Sequence, residues 1–381
     1  MNEFSIAGSI SQFVSQWECL TSDAEILAIV NGLELEFVDN IPPIQWQLPK
    51  CIIFNEAESA QVDVEIARLL HKGVLRESYH EFGEFINNIF TRPKKDGTSR
   101  MILNLKPLNE YVKYRKFKMD TLKTALHLIH KNCFMANLDI RDAYYMVKIS
   151  PPYQKYLKFQ WRNKLYQYTA LPNGYAAAPR VFTKLLKPIF AHLRELGITV
   201  MGYIDDVYIQ GETYEDCKRS VALACEVLES CGFLIHQEKS TFEPTQTLTF
   251  LGFDINTVAM TVKLTDQKCC DYKSHCESFL KKSSCTIREM AQLTGQLVSS
   301  FPGVQYGPLH YRTLEIQKTH ALQSTDDDDY DAVMHITPEM HSDLQWWVSE
   351  IDQSINYINR GNPQVVLTTD ATLTVWGAVC T

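Results

Sequence analysis

Residues 200–211 read VMGYIDDVYIQG, and two adjacent carboxylates, Asp205 and Asp206, divide two apolar runs. Val, Ile and Tyr favour a pleated, half-buried backbone. Two such runs separated by Asp-Asp predict a hairpin with the acidic pair at its tip. Asp is also an ordinary turn former, so a chemical role for the pair needs support from elsewhere in the chain.

That support comes from CFMANLDI, residues 133–140, a short apolar strand that ends on a third carboxylate, Asp139. If the two segments are antiparallel neighbours, Asp139, Asp205 and Asp206 meet at one edge of one sheet. Three such groups repel unless cations neutralise them. Hard divalent ions with oxygen ligands, above all Mg²⁺, suit the set, because Mg²⁺ binds through a few carboxylates plus substrate phosphates. Two ions held together there serve in-line phosphoryl displacement.

Composition permits this chemistry. The chain has 381 residues, 45% hydrophobic and 22% charged, enough for two or three domains with substantial cores. No apolar run is long enough for a membrane span, and the N-terminus shows no basic-then-apolar leader, so an intracellular protein without a membrane partner is expected. The net charge of −8 conceals a strong division: residues 1–67 carry −10, residues 68–200 carry +15 and residues 201–381 carry −13. The basic middle is the part expected to meet phosphates. The 11 cysteines show no framework spacing, so free thiols are expected. Cys269, Cys270, His275 and Cys276 lack the paired spacing of a zinc site.

Along the chain, residues 61–75 predict an amphipathic helix. FINNIFTRPKKDGTSRMILNLKPLN predicts two strands around Asp96-Gly97, and residues 156–171 a hairpin turning at Arg162-Asn163. AAAPRVFTKLLKPIFAHLRELG predicts a helix with Pro179 in its first turn, a kink at Pro188 and Gly197 at its end. Residues 215–232 form another expected helix, FLIH (233–236), TLTFLGFDI and MTVKL are expected strands, and 286–301 is a helix opened by a Thr286–Glu289 capping box. STDDDDYD (324–331) is expected to be an acidic linker. Helices alternating irregularly with antiparallel hairpins indicate an α+β fold.

The motifs NLDIRDAYYMVKI, LPNGYAAAPRVF, YIDD, GFLIHQEKS and FLGF, preceded by PKKDGTSRMILNLKPLN, resemble those of reverse transcriptases in order and approximate spacing over residues 61–258. The flanking FVSQWECLTSDAEILAIVNGLELEF, FPGVQYGPLHYRTLE and LQWWV are similar to DIRS-type retroelements, which encode a tyrosine recombinase. The terminal VVLTTDATLTVWGA resembles the first strand of a ribonuclease H domain, with Asp370 as its first metal ligand.

The resemblance implies a right-hand polymerase: an N-terminal extension over 1–60, fingers and palm over 61–258, a thumb-like helical region over 259–320, an acidic connection over 321–363 and a ribonuclease H start over 364–381. It implies RNA-directed DNA synthesis with two Mg²⁺ ions (or Mn²⁺) on Asp139, Asp205 and Asp206. The partners implied are an RNA template, a DNA or RNA primer and deoxynucleoside triphosphates.

By position, Lys94 or Lys95, Arg100, Ile140, Tyr144 and Asn173 fall at the incoming nucleotide, with Tyr144 as the gate against a ribose 2′-hydroxyl. Gly174 and Ala176–Ala178 fall at the templating strand. Phe250, Leu251 and Gly252 fall at the primer grip, and Lys239 at the acid that protonates pyrophosphate. Asn173 departs from the aromatic residue or Gln usual there. Residues 365–381 are too short for a complete ribonuclease H, which implies that hybrid cleavage rests with a separate or downstream domain. Two rival readings stay open: an RNA-directed RNA polymerase, and a decayed retroelement copy that folds and binds nucleic acid without catalysis.

Overall fold

The computed structural model describes residues 6–50, 52–93, 99–325, 328–358, 365–372 and 374–380. They form two compact units. One combines the chain up to Thr121 with Phe134–Thr245; the other combines Leu122–Cys133 with the chain from Gln246 onward.

The first unit contains the opening motif. Thr199–Tyr203 and Asp206–Gly211 pair antiparallel, as the alternating sequence requires, and Phe134–Asp139 and Thr241–Thr245 extend the sheet in the order 199–203, 206–211, 134–139, 241–245. Ala178–Glu195 and Tyr214–Ser230 pack against these strands. Ala178–Glu195 buries eight apolar residues at helical spacing, has a proline in its first turn and continues through Pro188. One glycine is demanded by packing: a Cβ on Gly202 would lie 2.4 Å from the Phe190 ring of that helix.

A second sheet of this unit joins Leu75–Ser78, Lys164–Tyr168, Lys158–Trp161, Ile86–Pro93 and Ser99–Asn104 in that order. Every pairing is antiparallel except that between Ile86–Pro93 and Lys158–Trp161. The 158–168 hairpin turns where expected, with Arg162 and Asn163 both at positive φ. The N-terminal residues share this unit's core. Buried Trp17, from the helix Val14–Leu20, donates its indole N–H to the Cys231 carbonyl at 3.1 Å and meets Phe233 edge-on.

In the second unit Thr247–Phe250, Phe253–Asn256, Thr261–Leu264 and Asn356–Tyr357 form an antiparallel sheet. Its helices include Asp266–Leu280, Ile287–Ser300, Arg312–Gln323 and Pro338–Glu350. The Thr286–Glu289 capping box is present. The segment Leu122–Cys133 is tied in by Thr257, whose hydroxyl donates to the Cys133 carbonyl at 2.7 Å, and by Gln246, whose amide donates to Asn132. Leu367–Ala371 and Trp376–Cys380 form a separate hairpin.

Several local expectations change. The helix expected over 61–75 spans Glu56–His71, because Asn55 and Glu58 form a capping box that starts it earlier. FLIH is not a ladder strand; Ile235 makes a single bridge to Ile140. TLTFLGFDI is two strands, broken by a turn at Leu251-Gly252. The turn expected at Asp96-Gly97 falls on residues 94–98, which lie outside the described residues. Among the described residues no helix is long and apolar enough to cross a membrane.

Candidate active site

The sheet of the first unit places Asp139 directly opposite Asp206, while Asp205 occupies the adjoining turn. Main-chain bonds fix this edge. The Ile140 N–H donates to the Asp205 carbonyl and the His236 N–H to the Asp139 carbonyl, both at 2.8 Å. The Asp139 N–H donates to the Ser240 hydroxyl at 2.9 Å. Ile140 itself is buried, so its fixed contribution is this main-chain bond. Lys239, mostly exposed, holds its ammonium 3.9 Å from an Asp139 oxygen.

Partial burial, then the charges of Asp205 and Asp139, push the Asp206 carboxyl up to about 6. Asp205 is also raised, by burial first and by Asp139. Both shifts show an edge that resists accumulating negative charge and is relieved by cations. Among the described residues no three His, Cys, Asp or Glu side chains already enclose a metal position. Mg²⁺ does not require such a cage, since one or two carboxylates, waters and a substrate phosphate complete its shell. The all-oxygen, charge-frustrated donor set fits it.

A cleft of about 680 Å³ opens beside this edge, and its lining includes Asp205, Ile204, Asp142, Tyr144, Tyr145 and Asn173. Tyr144 stands half-buried on the 3₁₀ turn Ala143–Met146, edge-on to Phe182 at 5.6 Å. Burial, with Asp205 and Tyr203 nearby, pushes its hydroxyl up to about 12, so it is a neutral donor at ordinary pH. Asn173 hydrogen-bonds Tyr145, whose hydroxyl burial also raises to about 12. Gly174 needs its glycine for φ 95. The Asn109 side chain clamps the loop there by donating to the Gly174 carbonyl and accepting from the Ala176 N–H, both at 2.9 Å.

Residues 92–255 match the family described as reverse transcriptase (RNA-dependent DNA polymerase). Residues 92–255, less than half of the chain, are thus similar to a reverse transcriptase domain. Over 194 residues it is 27% identical to the Transposon Tf2-3 and Tf2-7 polyproteins of Schizosaccharomyces pombe, a match covering 50% of this chain and 14% of each polyprotein. Among solved structures, the foamy viral protease-reverse transcriptase dRH in complex with double-stranded DNA matches 98% of this chain and 65% of its own, with TM-score 0.67 and 19% identity. The foamy viral protease-reverse transcriptase in complex with an RNA/DNA hybrid matches 91% of this chain and 46% of its own, with TM-score 0.63 and 18% identity. The mixed helix-and-sheet fold is thus that of the reverse transcriptases, consistent with the right-hand polymerase architecture.

The expected residues divide into groups. Asp139, Asp205, Asp206 and Lys239 cluster at the sheet edge, and Tyr144 and Asn173 line the adjoining cleft. Arg100 lies on Ser99–Asn104 in register with Arg92, with its side chain outside the described atoms, and Lys94 and Lys95 lie outside the described residues. Phe250, Leu251 and Gly252 belong to the second unit. There Leu251 and Gly252 form the two-residue turn, with φ 51 and 77. Asp370 lies on the exposed strand Leu367–Ala371.

Sequence reasoning missed Glu65 and Arg68, which line this cleft as a bidentate ion pair with a shortest contact of 2.6 Å. Their i,i+3 spacing was a signal of mutual pairing, but nothing in it pointed to a cleft. The basic middle segment is also not purely a binding surface. Lys158 is fully buried against Glu81 and Glu84, at 2.8 and 2.9 Å. Lys118, Lys187 and Arg194 remain beside the acidic tip, in a groove they share with Gly202 and Ile204.

Proposed function

We propose that this chain is an RNA-directed DNA polymerase that joins a deoxynucleoside triphosphate to a primer 3′-hydroxyl and releases pyrophosphate. The observation that carries this reading is Asp139 facing Asp206 across one strand pair, with Asp205 on the adjoining turn, inside a reverse transcriptase domain. Asp139, Asp205 and Asp206 would hold two Mg²⁺ ions, or Mn²⁺ in their place. Bound there, the ions supply charge stabilisation to the attacking and leaving oxygens.

The remaining roles fall to the chain's own side chains. The Tyr144 ring walls the cleft and excludes a ribose 2′-hydroxyl. Asn173 and the Ile140 main chain border the nucleotide, and Lys94 or Lys95 with Arg100 grips its triphosphate, Arg as a fork and Lys as a point charge. Lys239 is placed to deliver a proton to the departing pyrophosphate. Gly174 lets the templating strand approach, and the Phe250–Gly252 turn steadies the primer end. Catalysis then comes from positioning and electrostatics rather than a covalent intermediate.

The basic middle of the chain, with Lys118, Lys187 and Arg194 flanking the tip, supplies salt-dependent affinity for template and primer. The solved relatives in complex with double-stranded DNA and RNA/DNA hybrid support nucleic acid as the partner. The palm falls on the Asp-bearing sheet, the fingers on the five-stranded sheet and the thumb on the helices after residue 265. The chain spans 14% of the Tf2 polyproteins it matches. A DIRS-type origin with a tyrosine recombinase, and a ribonuclease H domain opening at Asp370, complete the reading.

Extension of a labelled DNA primer on an RNA template, with Mg²⁺ and deoxynucleotides, tests it beside Asp205→Ala. Extension lost in the variant is the expected result. Salt-sensitive binding without extension would sink the enzyme and favour a folded, decayed copy. Preferential ribonucleotide incorporation would favour an RNA polymerase.

A further inference from the structure

The helix Glu56–His71 ends against the turn that carries Tyr144. At its C-cap, Lys72 places its ammonium 2.5 Å from an Asp142 oxygen, and the two side chains are only 15% and 17% exposed. Asp142 is the N-cap of Ala143–Met146 and sits at φ 52, a left-handed conformation that Asp tolerates but most residues do not. Its carbonyl accepts the Tyr145 N–H at 2.8 Å. Two other cations act on Asp142: Arg141, more distant at 3.7 Å and half exposed, and Arg68, which lines the same cleft. On the opposite side, the Gly8 N–H donates to the Tyr145 carbonyl and the Ala7 N–H to the Lys72 carbonyl, at 2.9 and 3.3 Å. The turn is therefore held through Asp142 and through Tyr145, with Tyr144 between them and Asp142, Tyr144 and Asp205 lining one cleft.

We propose that Lys72 is a positioning residue for Tyr144. The ion pair with Asp142 fixes the turn, and so sets where the Tyr144 ring stands relative to Asp205 and how strictly the cleft discriminates the sugar of the incoming nucleotide. This rests on the reading of the cleft as a nucleotide site. A charge pair this sheltered from water is poorly screened, and removing Lys72 leaves the Asp142 carboxylate with only the longer contact to Arg141 and the field of Arg68. Without the pair, the left-handed residue at the head of the turn loses the contact that holds it in a sparsely populated conformation. Small displacements of a positioning group are costly to discrimination, because the geometry it sets is the source of the selectivity.

The test is single-nucleotide insertion of matched deoxy- and ribonucleotides on one primer-template, comparing kcat/KM ratios. Wild type is compared with Tyr144→Ala, Lys72→Met, Lys72→Arg and the double variant Lys72→Met/Asp142→Asn. Asn tolerates the left-handed conformation, so the double variant leaves no stranded charge and keeps the backbone acceptable. Lys72→Met and the double variant are expected to lower the deoxy-to-ribo ratio by about tenfold, through increased ribonucleotide insertion, and Lys72→Arg to recover most of it. An unchanged ratio in a folded double variant, with Tyr144→Ala still lowering it, overturns the role of Lys72. An unchanged ratio in Tyr144→Ala overturns the cleft reading itself. A crystal structure of the double variant gives a readout independent of activity: a displaced Tyr144 ring supports the proposal, and a ring in its original place overturns it.

Discussion

The hairpin Thr199–Gly211 and the hairpin Thr247–Asn256 each reverse the chain over two residues, and they are built from opposite materials. The first turns at Ile204 and Asp205, with positive φ (55) at Ile204 alone. A two-residue turn with positive φ only at its first position normally carries glycine there, and a β-branched residue in that conformation is a genuine outlier. The second turns at Leu251 and Gly252, both at positive φ, the pattern whose twist suits a hairpin. It is also strapped from outside. The Lys268 ammonium donates to the Leu251 carbonyl at 3.0 Å and lies 4.6 Å from the Phe253 ring centre, and the Thr265 N–H reaches the Gly252 carbonyl. One turn gathers negative charge on a strained backbone; the other adds a cation to a favourable one. Strain of this kind persists where the surroundings over-determine it, and it is common at functional sites.

The largest effect that tests this contrast is expected at Gly252. An alanine there would be strained at φ 77, and its Cβ would meet the end of Lys268 at 2.3 Å. Lys268 can move aside, but then gives up its bond to Leu251. Gly252→Ala is expected to cost about 1–3 kcal/mol in denaturant unfolding; a cost near zero would mean the strap is incidental. The corresponding change at the other turn should differ. Ile204→Gly deletes a half-buried side chain, yet it also releases the strain, so stability should shift by less than about 1 kcal/mol. A loss of several kcal/mol would show that the Ile204 side chain, not its backbone, governs the acidic tip.

A third test is electrostatic. The folded chain raises Asp206 from its ordinary 3.8 to about 6, and raises Asp205 as well. Across that interval the folded state therefore holds protons more tightly than the unfolded state, and stability falls as pH rises. In metal-free buffer the melting temperature should decline from about pH 4 to pH 6, Asp206→Asn should flatten that decline, and Mg²⁺ should offset it at neutral pH. A flat wild-type profile would remove the argument that the edge is charge-frustrated.

What the sequence made legible follows from range. The Thr199–Gly211 hairpin and Phe134–Asp139 were readable because each strand announces itself locally, and antiparallel pairing then brings Asp139 to the same edge as the acidic pair. The fourth strand, Thr241–Thr245, includes Glu243 and Pro244, carries no such signal and was missed. The Ile287–Ser300 helix was readable from its capping box; the same device at Asn55 and Glu58 was overlooked, so the helix of the first unit was expected five residues late. FLGF was read through as one strand because Leu251 carries no turn signal of its own. Lys72 and Asp142 were beyond reach, since 70 residues separate them in sequence and neither has a local pattern that names the other. Trp17 presents the same difficulty, with its hydrogen-bond partner at Cys231.

The interruption of the first unit by Leu122–Cys133 has a consequence for biosynthesis. That segment leaves the ribosome well before Gln246 and Thr257, which secure it. Translation runs at about 5–20 residues per second, so Leu122 and Ala125, buried in the finished protein, wait on the order of ten seconds for their unit to arrive. The same delay brings out the strands Phe134–Asp139 and Asp206–Gly211, so the acidic edge can assemble while the second unit is still being made.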